Sequence, residues 1–148
     1  MRLVKAEPVF TDTNLFLRFL TNDVPEQAAA FERLVRQAQD GQVSLVTNSM
    51  VMAELVWTLE SYYALPPVEI QARILAILNT PGLEIEDGEI LLQAILWYVE
   101  KHVDFIDAFN AAWMINHGIR SIGTFDRKHF ARFEGISIIE PGTSIGRE

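Results

Sequence analysis

The apolar positions of this chain recur with two alternating periods, and the alternation outlines its elements. Val9–Thr11 is a short apolar run and reads as a buried strand. Helical spacing follows over Asn14–Leu20 and over Pro25–Asp40, the second amphipathic and ended near Gly41. Val43–Thr47 reads as a strand and Ser49–Tyr63 as a strongly apolar helix. Pro66 and Pro67 mark a helix boundary. Pro67–Asn79 then carries Ile70, Ile74, Ile77 and Leu78 on one side. Pro81-Gly82 marks a turn before a short strand at Leu83–Ile85. Helices are predicted over Glu89–His102 and Phe105–His117, a strand over Arg120–Gly123, a helical turn at Arg127–Phe130 and a last strand at Ser137–Ile139. Short strands separated by helices predict an α/β fold, with a central, mostly parallel sheet of about five strands and helices on both faces. In such sheets the site lies beyond the carboxyl ends of the strands.

Composition narrows the function. At 148 residues the chain is the size of one domain, and a single domain over 1–148 is expected. It has no cysteine, which removes thiolate catalysis and Cys-type metal sites and fits a reducing, cytoplasmic compartment. The opening MRLVKAEPVF lacks the apolar core of a signal peptide, and the most apolar stretch, ILLQAILWYV, is too short to span a bilayer. The net charge of −8 argues against broad electrostatic binding of nucleic acid. One stretch is locally basic: Arg120, Arg127, Lys128 and Arg132 stand against Asp126 alone, with His117 and His129 beside them. A solvated surface turn explains that stretch by itself.

Four acidic positions carry the chemistry. Asp12 follows the first strand and opens a helix, where it is also a good N-cap. Glu54 is the only charged residue from Met50 to Leu59, with no cation at i±3 or i±4. It is either a costly buried carboxylate or part of a narrow solvent-facing stripe with Thr58 and Ser61, and the pattern does not choose. In HVDFIDAFNAA, Asp104 suits the N-cap and Asp107 the third helical position of a capping box. Asp126 follows the Arg120–Gly123 strand and suits a cap as well.

Each position has a structural explanation, but the combination points further. In a parallel sheet Asp12 and Asp126 share one edge. Two unit charges about 4 Å apart repel by about 4 kcal/mol at an effective dielectric near 20. A divalent cation makes such a cluster tolerable, and oxygen ligands favour Mg²⁺ or Mn²⁺ over zinc.

Four segments together resemble the PIN domain, and within it the VapC-type toxins of prokaryotic toxin–antitoxin pairs: FTDTNLFLRFL, TNSMVMAEL, VDFIDAFNAAWM and SIGTFDRKHF. They occur in the family's order and spacing over nearly the whole chain. The resemblance implies a PIN-like three-layer fold and an endoribonuclease that uses Mg²⁺ or Mn²⁺. Carried over position by position, Asp12, Glu54, Asp107 and Asp126 would form the acidic quartet, Asp104 would be the further acid, and Asn14 and Thr124 would supply supporting hydrogen bonds. The resemblance also implies an RNA substrate, a homodimer and a small antitoxin partner. Even with these five acids neutralised the chain stays negative, so phosphate contacts must be local. Arg18, Arg127, Lys128 and Arg132 are the residues expected to make them.

Two other readings stand beside this one. A Mg²⁺-dependent phosphatase or aspartyl-phosphate domain would use Asp12 as nucleophile with Lys101 or Lys128 near the phosphate. A non-catalytic binding module would use its carboxylates only as caps.

Overall fold

The structure is a computed structural model, and it describes residues 6–142. Met1–Lys5, which begin the N-terminal segment considered above, lie outside these residues. The described residues form two compact units, one within Met1–Gly88 and one within Glu89–Glu148.

The first unit holds β1 (Pro8–Phe10), α1 (Thr13–Thr21), α2 (Pro25–Gln39), β2 (Ser44–Thr47), α3 (Ser49–Ser61), α4 (Pro67–Leu78) and β3 (Leu83–Ile85). The strands pair in the order β1-β2-β3, both pairings parallel, with Val9 opposite Leu45 and Leu45 opposite Leu83. Parallel neighbours need crossover connections, and α1–α2 and α3–α4 supply them. Pro25 and Pro67 each start a helix at a position where the missing N–H costs nothing. The α1–α2 contact is aromatic: Phe16 meets Phe31 edge-on with ring centroids 5.5 Å apart. Gly82 passes so close to the backbone of Ala38 that a Cβ would lie 2.7 Å from its carbonyl carbon, and its φ of +85° is left-handed, so only glycine fits.

β1 departs from the sequence expectation of a buried strand. All three of its residues are exposed, Val9 at 42% and Phe10 at 52%. It has one strand neighbour, β2, in the three-stranded sheet. A short apolar run does not distinguish a central strand from an edge strand, whereas Pro8 at the first position suits an edge.

The second unit holds α5 (Gly88–Glu100, from its second residue), α6 (Phe105–Asn116), β4 (Ser121–Gly123), α7 (Arg127–Phe130) and β5 (Ser137–Ile139). β4 and β5 pair in parallel, Ile122 opposite Ile138. Among the described residues the five strands thus hydrogen-bond as three and two, every pairing parallel, in an α/β chain. Tyr98 of α5 packs on Phe105 of α6, and Trp97 packs on Phe133. The turn from α5 to α6 passes through His102 at a φ of +54°. Arg132 holds that turn, donating from Nη1 to the Lys101 carbonyl at 3.0 Å and to the His102 carbonyl.

Among the described residues no helix is long and apolar enough to cross a membrane.

Candidate metal centre

In the first unit, Thr11 extends the β1 ladder by donating its N–H to the Val46 carbonyl at 2.7 Å. The Thr11 carbonyl accepts from Thr47 Oγ1 at 2.9 Å. These bonds join the carboxyl ends of β1 and β2, from which α1 and α3 start. Asp12 occupies the N-cap position of α1 with extended backbone, yet its side chain makes no capping hydrogen bond. It is exposed. A carboxylate kept for capping alone would accept from the second or third N–H of the helix. The next residue, Thr13, is buried and donates its hydroxyl to Glu54 Oε1.

Glu54 itself is exposed on α3. Met50 and Trp57 flank it at helical spacing and are 79% and 65% exposed. The solvent-facing stripe, rather than the buried carboxylate, describes this position. Its orientation comes from Thr13 and not from a cation.

In the second unit, Asp104 is the N-cap of α6 and accepts from the Ile106 N–H at 3.1 Å. That bond faces its carboxylate to the helix end. Asp107, one turn on, is part-buried and makes no cap bond. Burial pushes its pKa above the ordinary carboxylate value, the charges of Asp104 and Asp126 push it further, and His129 opposes them.

Asp126 sits in the turn after β4. Its N–H donates to Thr124 Oγ1 at 2.9 Å, and its Oδ1 accepts from the His129 N–H at 3.2 Å, capping α7. The His129 ring returns over the same carboxylate. Its Nδ1 lies 3.2 Å from Asp126 Oδ2 and 3.2 Å from Asp107 Oδ2. One atom from each of Asp107, Asp126 and His129 falls within 4.8 Å of the others. This spacing suits ligands around one small cation, and two carboxylate oxygens with one imidazole nitrogen are donors that divalent ions accept. The donor set therefore fits a divalent metal.

His129 is not among the acidic residues expected at the site, although it lies within the segment SIGTFDRKHF. Its signal in the sequence is Asp-x-x-His at the start of a short helix, a spacing that folds the ring back on the capping carboxylate.

The remaining expected residues have varied surroundings. Asn14 and Arg18 line a cavity of about 750 Å³ with Gln27 and Arg33. Arg18 pairs with Asp23 at 3.0 Å and Arg127 with Glu140 at 3.5 Å. Arg132 is committed to the α5–α6 turn, as described. Lys128 is exposed and has no ion pair or hydrogen bond among the described residues.

Comparison with known proteins gives the family. The PIN domain family model matches residues 9–136. No curated protein matches the chain. Among solved structures, VapBC2 of Rickettsia felis bound to a promoter DNA fragment is similar, with 14% identity, a TM-score of 0.38, and 90% of this chain and 98% of that chain covered. VapC20 of Mycobacterium tuberculosis, a sarcin-ricin loop cleaving toxin, is similar with 23% identity, a TM-score of 0.37, and 84% and 94% covered. These structural likenesses are too low to carry an argument about activity, and the assignment rests on the family model, which runs through both units. The chain belongs to the PIN domain family.

Proposed function

We propose that this chain is a single-domain, divalent-metal-dependent endoribonuclease, the toxin of a VapBC-type pair. The observation that carries the reading is the Asp107–Asp126–His129 donor cluster, in a chain that the PIN family model spans. The four motifs named above, in the family's order, add the VapC type to it.

A divalent ion held at such a centre, Mg²⁺ or Mn²⁺, supplies Lewis-acid chemistry to a phosphodiester and makes a bound water more acidic. The residues have distinct tasks around it. Asp107 and Asp126 hold the cation. Thr124 fixes the turn that presents Asp126, and Asp104 caps α6 so that Asp107 projects from a rigid first turn. In the first unit, Asp12 has an uncommitted carboxylate, Glu54 is oriented by Thr13, and Asn14 stands on the first turn of α1; the family resemblance assigns all three to the same reaction. Arg18, Arg127, Lys128 and Arg132 are the candidate contacts to RNA phosphates, with Lys128 the least committed of the four and Arg132, which holds the α5–α6 turn, the weakest candidate. A small antitoxin, a homodimeric state and a cytoplasmic location accompany this reading.

The aspartyl-phosphate alternative has less support. It needs a lysine at the phosphate; of its two candidates, Lys101 lies instead over the Trp97 ring at 5.8 Å, which leaves Lys128 alone.

The deciding experiment is cleavage of transfer and ribosomal RNA with and without Mg²⁺ or Mn²⁺. Asp12→Asn, Asp107→Asn and Asp126→Asn should each abolish metal-dependent cleavage while the proteins stay folded. Asp104→Asn should keep most of the activity. Full activity in any of the first three variants overturns the assignment of that residue, and metal-independent cleavage overturns the reading as a whole.

A further inference from the structure

We propose that His129 is a direct ligand of this centre through Nδ1, and that it makes the centre favour Mn²⁺ over Mg²⁺. The inference rests on the reading of the cluster as a metal site and adds a nitrogen donor to it.

The geometry is specific to this ring. Two neighbouring ligands of an octahedral ion, each at about 2.1 Å, lie about 3 Å apart. His129 Nδ1 stands 3.2 Å from one oxygen of Asp107 and 3.2 Å from one oxygen of Asp126. One nitrogen at nearly this spacing from two carboxylates occupies a corner of such a shell with little movement. The ring is also held there by the chain. The His129 N–H donates to Asp126 Oδ1 while Nδ1 faces Asp126 Oδ2, so one carboxylate fixes both the backbone and the ring of the same residue. The Asp107 and His129 side chains are 22% and 33% exposed, which leaves one open side for water or a phosphate oxygen.

Donor chemistry then sets the preference. Carboxylate and water oxygens serve Mg²⁺ and Mn²⁺ alike, whereas imidazole suits transition ions. Mg²⁺ keeps its waters and gains little from a nitrogen ligand. A site with Asp, Asp and His therefore separates two ions that an acid-only site treats similarly.

The test uses the full chain freed of metal by chelator. Calorimetric titrations with Mn²⁺ and Mg²⁺ are run on the wild type, His129→Gln and Asp107→Asn, with electron spin-echo modulation on the Mn²⁺-loaded proteins and thermal melts of the metal-free ones. The wild type should bind Mn²⁺ more tightly than Mg²⁺ and show the nitrogen modulation of a directly bound imidazole. Replacing groups that only support a ligand costs about 10–100-fold in affinity, so His129→Gln should lose at least about tenfold for Mn²⁺. Its nitrogen signal should vanish, and its Mg²⁺ affinity should change little. Absence of the nitrogen signal in the wild type overturns the proposal whether or not the variant folds. So does its persistence in folded His129→Gln, or an equal loss of both ions. Those results leave the metal site standing if Asp107→Asn abolishes binding. A wild type that binds neither ion overturns the metal site itself.

Discussion

Thr13 donates its hydroxyl to Glu54 across 41 positions of the chain, tying the first residue of α1 to the middle of α3. Glu54 is thereby oriented from the residue next to Asp12. Thr13→Val keeps the shape and removes the donor. The exposed Glu54 is rehydrated, so stability should fall by only about 1 kcal/mol. RNA cleavage should fall about tenfold, as when a group that orients a functional side chain is lost. Unchanged cleavage in a folded Thr13→Val protein would show that Glu54 needs no orientation.

Asp107 gives the metal-free protein a characteristic pH dependence. Its folded pKa is raised above the ordinary value of 3.8, chiefly by burial and then by Asp104 and Asp126. The folded state therefore binds the proton more tightly than the unfolded chain, and stability declines as pH rises from the ordinary value to the raised one. Asp107→Asn should remove that decline and stabilise the metal-free protein at neutral pH. Urea unfolding in chelator at pH 4 and pH 7 measures both effects. A wild type whose Asp107-dependent stability increases over this interval contradicts the sign.

Lys128 and Arg132 should separate cleanly in RNA binding. Lys128→Ala should weaken binding across sequences and lower the salt slope by about 1. Arg132→Ala should cost about 1 kcal/mol of stability through the lost hold on the α5–α6 turn, with little change in slope. Filter binding at several salt concentrations and a thermal melt distinguish them. The reverse pattern would make Arg132 the phosphate contact.

Thr11 is fully buried, and its hydroxyl has no hydrogen-bond partner among the described residues. Replacing an unpaired buried hydroxyl with a methyl group of the same shape removes a desolvation cost. Thr11→Val should raise stability by about 1 kcal/mol, read from the denaturation midpoint at constant slope. A loss of that size would mean that a bound water satisfies the hydroxyl.

Much of the architecture could be read from periodicity and punctuation. Pro25, Pro67 and the Asp104 cap mark helix starts that the structure reproduces, and Leu83–Ile85, Arg127–Phe130 and Ser137–Ile139 have the boundaries expected of them. Exposure was harder to read. Val9 and Phe10 look like core residues in one dimension, because an apolar run carries no record of how many strands flank it. Glu54 was undecided for a related reason: an apolar helix with one carboxylate is compatible with either face until the stripe from Met50 to Trp57 is seen in space. His129 was hidden in a basic stretch, where its neighbours Arg127 and Lys128 suggested phosphate contact. Only the return of the ring onto Asp126 and Asp107 gives it a second meaning.

The uncapped start of α1 has a consequence for anyone who engineers this chain. A side chain that closes the helix end adds about 1 kcal/mol, and Asp12 leaves that gain unused. Serine or asparagine at this position offers a route to a higher melting temperature at the expense of a candidate catalytic carboxylate. If the proposed ribonuclease activity depends on Asp12, a library sorted by heat resistance alone would enrich inert, well-behaved variants, and those variants would be the safest form in which to produce the protein inside a living host.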